Sequence, residues 1–233
     1  MKLGIIGAMR IEVDALKEKM ENKTVIEQTG MAFCEGTLEG LPAVVVQCGV
    51  GKVNAAMCVQ ILCSRFGVTH LVNTGIAGSL CKDLNIGDLV VSRDAVYHDF
   101  DCCAFGYPAG RVPGMDVTEF PADETMVRFA TSAAETVNPG HVRQGRVATG
   151  DQFVCDKGVK ERIVTATGAL CTEMEGAAIA HAAYRNGVPF VILRAISDKA
   201  DDSAEMDYPA FEAIAAMRCA RVTQAMAKYL KEM

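Results

Sequence analysis

The chain is poor in the features that mark nucleic-acid-binding and membrane proteins. Its 233 residues include no tryptophan, only 6% aromatic residues and no basic run, and the formal net charge is −6. This balance argues against nucleic acid or an acidic membrane as a partner. The apolar runs fall far short of the ~20 residues that a membrane-spanning helix requires, and the N-terminal one is too short for a signal peptide. We therefore expect a soluble, cytoplasmic protein that acts on a small molecule.

Familiar metal and nucleotide motifs are also missing. The ten cysteines are scattered without a CxxC pair, and the four histidines form neither HxxxH nor HExxH. Neither a metal nor a cofactor is therefore expected, and cysteines in apolar runs are typical of buried thiols in a reducing compartment. The segments 4–7 and 49–52 match neither GxGxxG nor the Walker pattern. The adjacent Cys102 and Cys103 are unusual, and loop packing is their simplest explanation.

Short apolar strands alternate with helical patterns along the whole chain. The sequence predicts strands over 2–6, 24–29, 31–38, 41–48, 68–74, 88–97, 142–148, 169–173 and 189–196. It predicts helices over 9–20, 52–66, 125–136, 175–186 and 209–230, and a long loop over 99–121 of the kind used as a lid, binding loop or interface. Buried strands between helices indicate a largely parallel sheet covered by helices, with antiparallel pairing near 24–48. No linker or repeat divides the chain, so we expect one domain over 1–233.

Polar residues lie in and directly after the C-terminal part of the predicted strand over 189–196. Arg194 lies inside an apolar run, and Ser197 and Asp198 follow it. A buried arginine needs a partner, so it marks either a structural ion pair or a binding site. If the strand continues, side-chain alternation places Asp198 on the face of Arg194. Glu173 and Glu175 precede this strand at a predicted helix start, where acids are common but where a carboxylate can also bind two vicinal hydroxyls.

Other polar or flexible positions follow the first strands. Glu12 lies near the start of the helix over 9–20, where the helix dipole alone favours an acid. The glycine-rich segments 48–52 and 73–79 each follow an apolar strand and are predicted as turns. Such turns either let a ligand approach the backbone or only connect a strand to a helix. Strand ends and helix starts are where open α/β sheets bind ligands.

Together these segments resemble a known family. The matching segments occur in order along nearly the whole chain: 4–9 with Glu12, 49–52, 73–75, 97–99, 104–107, 150–153, 173–175 and 188–198. They are similar to the 5′-methylthioadenosine/S-adenosylhomocysteine nucleosidases of the purine nucleoside phosphorylase superfamily. The resemblance implies a three-layer α/β/α sandwich with a mixed, largely parallel central sheet, usually in a homodimer. It also implies hydrolysis of the adenine N-glycosidic bond of these thioethers, and of 5′-deoxyadenosine, in methionine salvage.

The resemblance also implies roles for the polar residues. Glu12 looks like the general base that activates water. Asp198, positioned by Ser197, looks like the group that interacts with N7 and N6 of adenine. Glu175 and Arg194 resemble the ribose and water contacts. The chemistry requires Glu12 to be ionised, whereas Asp198 either donates a proton to N7 or stays ionised and stabilises a base protonated by water.

The same comparison predicts the walls of the site. Phe153 resembles the ring that stacks on adenine, with the Val154 backbone reading the base edge and the Met174 backbone contacting ribose. Met9, Val50 and Tyr208 resemble walls near the ribose and the 5′ substituent. Phe105 and Pro113 resemble the segment that the neighbouring subunit of a homodimer contributes to the site. Two positions depart from the pattern of many relatives. Ile76 stands where many relatives have a serine, which removes a polar contact to water or ribose, and Tyr208 stands at a position that is often held by phenylalanine.

Three alternatives remain open. A nucleoside phosphorylase would need a cationic cradle for phosphate, which a carboxylate at Glu12 would oppose. An aminofutalosine-type nucleosidase would use the same scaffold on another nucleoside. A nucleoside-binding protein would have lost the acids, whereas Glu12, Glu175, Arg194 and Asp198 are all present.

Overall fold

Ten strands, six α-helices and one short 3-10 helix at Cys103–Phe105 are found in the part of the chain that the computed structural model describes, residues 1–201 and 203–231. The strands are β1 Leu3–Gly7, β2 Glu21–Gln28, β3 Met31–Leu38, β4 Leu41–Gln47, β5 His70–Ser79, β6 Leu89–Tyr97, β7 Phe120–Pro121, β8 Val142–Thr149, β9 Cys171–Glu173 and β10 Phe190–Asp198. The helices are α1 Arg10–Lys19, α2 Lys52–Ser64, α3 Glu124–Val137, α4 Lys157–Thr167, α5 Gly176–Asn186 and α6 Ala204–Lys231.

The strands form one mixed sheet centred on β5. Strand β5 runs parallel to β1 and β10 and antiparallel to β9. From β10 the sheet continues through β6, β8 and β9 back to β5, so these five strands close into a ring. On the other side of β5, β1 leads to β4, β3 and β2, and the antiparallel pairing predicted for this segment is confirmed. The predicted α/β class with a mixed sheet is confirmed. The closure of five strands into a ring is a feature that the sequence did not predict.

Helices cover both faces of the sheet. Helices α2 and α5 bury Leu62 and Ile179 in one apolar core. Helices α1, α3 and α6 bury Leu16, Ala130 and Val222 in a second core on the opposite side. Removing apolar surface from water in this way is the main stabilising contribution to such a fold. In the described residues, no helix combines the length and apolarity needed to cross a bilayer.

Helix α4 is the element that the sequence patterns miss. It begins after Asp156, whose carboxylate accepts a hydrogen bond from the Val159 backbone N–H at 2.7 Å, and it ends at Gly168 in the left-handed region with φ 63°. This is an ordinary N-cap and C-terminal glycine. Only Ile163 and Thr167 of the helix are buried. With so few buried positions, it lacks the apolar stripe from which an amphipathic helix is recognised.

Three predicted boundaries are wrong in ways that matter for the site. Strand β5 continues through Ser79, so 75–78 is extended strand and not a turn. Helix α6 begins at Ala204, so Pro209 lies within its early turns and does not start it. The loop over 99–121 ends in β7, which pairs with β6 through Phe120 and Ala95.

Candidate active site

A cavity lies at the C-terminal ends of β1, β5, β9 and β10 and is closed on one side by α6. It is lined by ten of the predicted site residues: Met9, Glu12, Val50, Ile76, Phe153, Met174, Glu175, Ser197, Asp198 and Tyr208. It is also lined by Ala8, Ala77, Gly78, Thr172 and Glu173. The position agrees with the rule that ligands of α/β sheets bind beyond the carboxyl ends of the strands.

Four predicted site residues do not line this cavity. Arg194 is 1% exposed and lies behind the wall, where its guanidinium contacts the carboxylates that do line it. Val154 is buried next to Phe153, in a small core with Leu80 and Ala200. Phe105 and Pro113 are exposed on the surface, Phe105 to 82%. Within a single chain, neither of these two reaches the cavity.

Glu12 is fixed by the backbone at the start of α1. Its Oε2 accepts hydrogen bonds from the N–H groups of Ala8 at 2.7 Å and Met9 at 2.9 Å. Its Oε1 accepts one from Ile76 in β5 at 3.1 Å. Burial raises the pKa of Glu12, and the nearby Arg194 and these N–H groups offset part of that rise. The carboxylate is therefore held rigidly, with one oxygen retaining capacity for a further hydrogen bond.

Asp198 sits at a bulge at the end of β10. Arg194 pairs with Gly75 and Asp198 with Gly78, with a register shift after Ile196. Since Gly75 and Gly78 are three positions apart, they face opposite sides of β5, so the expected common face of Arg194 and Asp198 is wrong. The bulge instead directs Asp198 into the cavity beyond the strand ends.

The Asp198 carboxylate is positioned by its neighbours in the chain. Its Oδ2 accepts a hydrogen bond from the Ser197 hydroxyl, and its Oδ1 accepts one from the Ala200 N–H, both at 2.8 Å. Burial raises the pKa of Asp198; the two hydrogen bonds lower it in part, and Asp207 and Asp201 raise it further. The shift brings the group closer to the range in which a carboxylic acid donates a proton.

Arg194 is the buried cation of the site. Its Nη2 donates hydrogen bonds to Glu173 Oε2 and, at 2.5 Å, to Asn73 Oδ1. Burial alone would lower the pKa of Arg194, but the surrounding carboxylates outweigh burial and raise it, so the guanidinium stays charged. The predicted alternative of a buried ion pair is thus confirmed, and the same pair forms the back of the cavity.

Glu175 is bound less tightly than Glu173. Its Oε1 accepts a hydrogen bond from the Gly51 N–H at 2.9 Å, whereas its Oε2 is 3.8 Å from Arg194 Nη2. Burial and the adjacent Glu173 raise the pKa of Glu175 to about 7, against opposing effects of Arg194 and Gly51. One oxygen of Glu175 is thus available to a ligand.

Comparison with known proteins agrees with this geometry. The family model described as the phosphorylase superfamily matches residues 2–228. A 5′-methylthioadenosine/S-adenosylhomocysteine nucleosidase of Anoxybacillus flavithermus is 40% identical over 233 residues, which cover 100% of both chains. The chain belongs to this nucleosidase family of the phosphorylase superfamily.

Two solved structures of similar proteins differ in the activity that they represent. The 5′-methylthioadenosine/S-adenosylhomocysteine nucleosidase of Streptococcus pneumoniae, bound to a transition-state inhibitor, has a TM-score of 0.94 and 36% identity and covers 99% of this chain and 100% of its own. Futalosine hydrolase of Helicobacter pylori has a TM-score of 0.93 and 34% identity and covers 100% and 98%. The fold is therefore shared by nucleosidases that differ in substrate.

Within this nucleosidase family fold, two close approaches require glycine in β5. A Cβ at position 75 would collide with Arg194 Nη1 and with the Glu12 carboxylate. A Cβ at position 78 would lie 2.7 Å from Asp198 Oδ1 and 2.8 Å from Ala200 Cβ. Both distances are too short for real contacts. The sequence patterns indicate a turn here, whereas the glycines let the side chains of Glu12, Arg194 and Asp198 pack directly against a strand.

An ionic cluster beside the cavity was given no role by the sequence patterns. Lys52 Nζ lies 2.5 Å from Asp99 Oδ2 and 3.6 Å from Asp151 Oδ2, and the Asp151 N–H donates to Asp99 at 2.8 Å. The cluster joins the segment that follows Val50 to the segment that precedes Phe153. Its side chains are partly exposed, so each pair adds little to stability. Its effect is to connect two walls of the cavity.

Proposed function

We propose that the protein hydrolyses the N-glycosidic bond of 5′-methylthioadenosine and S-adenosylhomocysteine, and also of 5′-deoxyadenosine. The products are adenine and the 5-substituted ribose. The observation that carries the proposal is that Glu12 and Asp198, both buried and both held by hydrogen bonds, line one cavity. Two acids in different environments are what a base-plus-acid mechanism requires.

Asp198 acts on the leaving group. As the bond from C1′ to N9 breaks, its electron pair passes to adenine, and a proton on N7 neutralises the developing charge. The raised pKa of Asp198 favours the protonated form that donates this proton. Ser197 and Ala200 orient the carboxyl group, Phe153 provides a ring against the base, and the Val154 backbone reads its edge.

Glu12 acts on water. Its Oε1 accepts only the Ile76 N–H among the described protein donors, so it can also accept a hydrogen bond from a water molecule. The water oxygen bonds to C1′ while its proton passes to Glu12. Burial raises the pKa of Glu12, and Arg194 together with the backbone N–H groups opposes that rise and favours the ionised form that this step requires.

The sugar and its 5′ substituent occupy the remaining walls. The free oxygen of Glu175 accepts ribose hydroxyls, beside the Met174 backbone. Tyr208 packs edge-on against Phe153, with ring centroids 5.5 Å apart, and donates a hydrogen bond to Met9 Sδ at 3.3 Å. These side chains and Val50 form an apolar passage for a thioether, with Ile76 as an apolar side chain near the water.

We also propose that the protein is a cytoplasmic homodimer that works in methionine salvage. Apolar side chains are exposed at Val50, which lines the cavity, and at Val53, Met57 and Phe105: to 50%, 70%, 42% and 82%. An exposed apolar area of this kind favours association with another chain. In the proposed dimer, Phe105 and Pro113 of the neighbouring subunit close the cavity.

A second candidate is hydrolysis of an aminofutalosine-type nucleoside. Its support is the similarity to the structure of Helicobacter pylori futalosine hydrolase. The chemistry at the glycosidic bond is the same, and only the 5′ substituent differs. The ratio of kcat/KM for methylthioadenosine and aminofutalosine, measured on one preparation, decides between the two candidates.

The deciding experiment is incubation with methylthioadenosine in phosphate-free buffer, with adenine and methylthioribose measured by chromatography. Hydrolysis gives both products without phosphate. Adenine release that depends on added phosphate would identify a phosphorylase and refute the proposal. Sedimentation of the same sample measures the oligomeric state.

A further inference from the structure

Glu173 binds more groups of the site than any role at a helix start would require. Its carboxylate accepts hydrogen bonds from Arg194, from the Thr149 hydroxyl, from the Gly176 N–H at 2.8 and 2.9 Å, and from the Glu175 N–H at 3.1 Å. It therefore fixes both the cation of the site and the backbone that carries Glu175. Its side chain is only 4% exposed.

The two carboxylates compete for one guanidinium. Nη2 of Arg194 contacts Glu173 directly, whereas its distance to Glu175 Oε2 is 3.8 Å. Asn73 contacts the same nitrogen and donates its own N–H to the Ile6 carbonyl at 3.0 Å, which fixes its orientation. Arg194 is thus held toward Glu173 and Asn73 and away from a direct hydrogen bond with Glu175.

We propose that Glu173 is a positioning residue of the hydrolysis, which keeps Arg194 from pairing with Glu175 and so leaves the Glu175 carboxylate free for the ribose hydroxyls. This inference rests on the proposed function, and it concerns how the same site binds sugar. Hydrogen bonds to an ionised acceptor are roughly twice as strong as neutral ones, so a ribose hydroxyl gains most from a Glu175 oxygen that Arg194 does not occupy. Without Glu173, Arg194 pairs with the Glu175 carboxylate, which is then no longer available as an acceptor for the ribose hydroxyls.

The surroundings of Glu175 define the expected pH response. It faces Glu173 on β9, Arg194 on β10, Glu12 on α1 and the Gly51 N–H at the start of α2, and it interacts with the Cys48 thiol after β4. Of these, Glu173 and Glu12 oppose its ionisation, and Arg194 and Gly51 favour it. Removing the charge of Glu173 therefore lowers the pKa of Glu175, and the acid side of the pH profile moves to lower pH.

The test is Glu173→Gln, which keeps the shape of the side chain but removes its charge. We expect KM for methylthioadenosine to rise about tenfold or more, as for a lost hydrogen bond to a charged group, with a smaller fall in kcat. We expect the acid limb of kcat/KM to shift by about one pH unit to lower pH. Asp94→Asn is the matched control, because it removes a carboxylate paired with Arg146 at 2.6 Å outside the cavity. It leaves KM and the pH profile unchanged.

Glu173→Asp supplies the second measurement. It keeps the charge but withdraws the carboxylate by one methylene, so KM rises while the acid limb stays near that of the wild type. A folded Glu173→Gln enzyme with unchanged KM and pH profile would overturn the inference. If that variant does not fold, an unchanged KM in Glu173→Asp overturns it instead. Absence of adenine release from the wild-type protein would refute the proposed function itself, a result distinct from either of these.

Discussion

Gly75→Ala adds a single methyl group and is expected to reduce both the stability and the activity of the protein. The added Cβ would overlap Arg194 Nη1 and Glu12 Oε1 and lie 2.9 Å from the Glu12 carboxyl carbon. Both side chains are buried and held by several hydrogen bonds, so neither can move away without breaking them. Overpacking of this kind costs about 1–3 kcal/mol, which corresponds to roughly 2–12 °C in Tm for a chain of this length.

The activity of Gly75→Ala is expected to fall more than its stability. A displacement of about 1 Å in a catalytic group lowers the rate by roughly 100-fold. Gly4→Ala is the matched control in β1, where the new Cβ meets only side chains, with Leu71 Cδ2 closest at 2.8 Å. It also overpacks the core but leaves Glu12 in place. Thermal melts and adenine-release assays of both variants compare the two effects.

The result that would refute this reasoning is a Gly75→Ala enzyme with turnover within a few-fold of the wild type. Such turnover would mean that Glu12 and Arg194 can be moved without consequence. An equal loss of activity in Gly75→Ala and Gly4→Ala would also contradict the prediction, because the loss could then be explained by reduced stability alone.

Three further predictions concern individual side chains. Glu12→Gln and Asp198→Asn each lose roughly 100- to 10,000-fold in kcat while keeping a cooperative thermal transition, and near-normal adenine release from either contradicts its assigned role. Glu175, with a folded pKa of about 7 above its ordinary value of 4.5, binds its proton more tightly in the folded state, so it favours folding below about pH 4.5 and this contribution is lost as pH rises through about 7. Thermal melts should therefore show that the stability of Glu175→Gln falls less than that of the wild type as pH rises from 5 to 7. Parallel plots of Tm against pH for the two proteins would argue against the shift. Phe105→Ala raises KM in the proposed dimer, whereas an unchanged KM in a protein that sediments as a dimer would exclude this side chain from the site.

The sequence predicted most elements of the fold because their patterns are local. The buried strands and the glycine that ends α5, with φ 65° at Gly187, are both visible in short windows. The ring of five strands is not, because it depends on the three-residue β9 and on pairings between distant segments. Helix α4 was missed because it is mostly exposed and buries only two residues.

The site was predictable where residue type alone constrains it. A charged Arg194 in an apolar strand required a buried partner, and the structure supplies Glu173 and Asn73. The alternation rule failed for Asp198, because no pattern in the sequence announces the bulge after Ile196. The sequence predicts a turn at Gly75 because a glycine that follows an apolar strand usually lies in a turn. Its actual role is to allow a close approach of side chains that lie far away in sequence.

The charge of the cavity bears on the choice between water and phosphate. Glu12, Glu173, Glu175 and Asp198 line it, and the described residues of its wall include no lysine, arginine or histidine. The buried cation Arg194 lies behind the wall and is paired directly with Glu173. With Asp198 and Glu175 protonated and Glu12 ionised, as the proposed mechanism requires, one guanidinium faces the two carboxylates of Glu12 and Glu173, and the site stays negative. Such a field stabilises the positive charge that develops on the sugar in the transition state, and it opposes the entry of an anionic nucleophile. Water carries no charge and enters without that cost, so the arrangement favours hydrolysis over phosphorolysis.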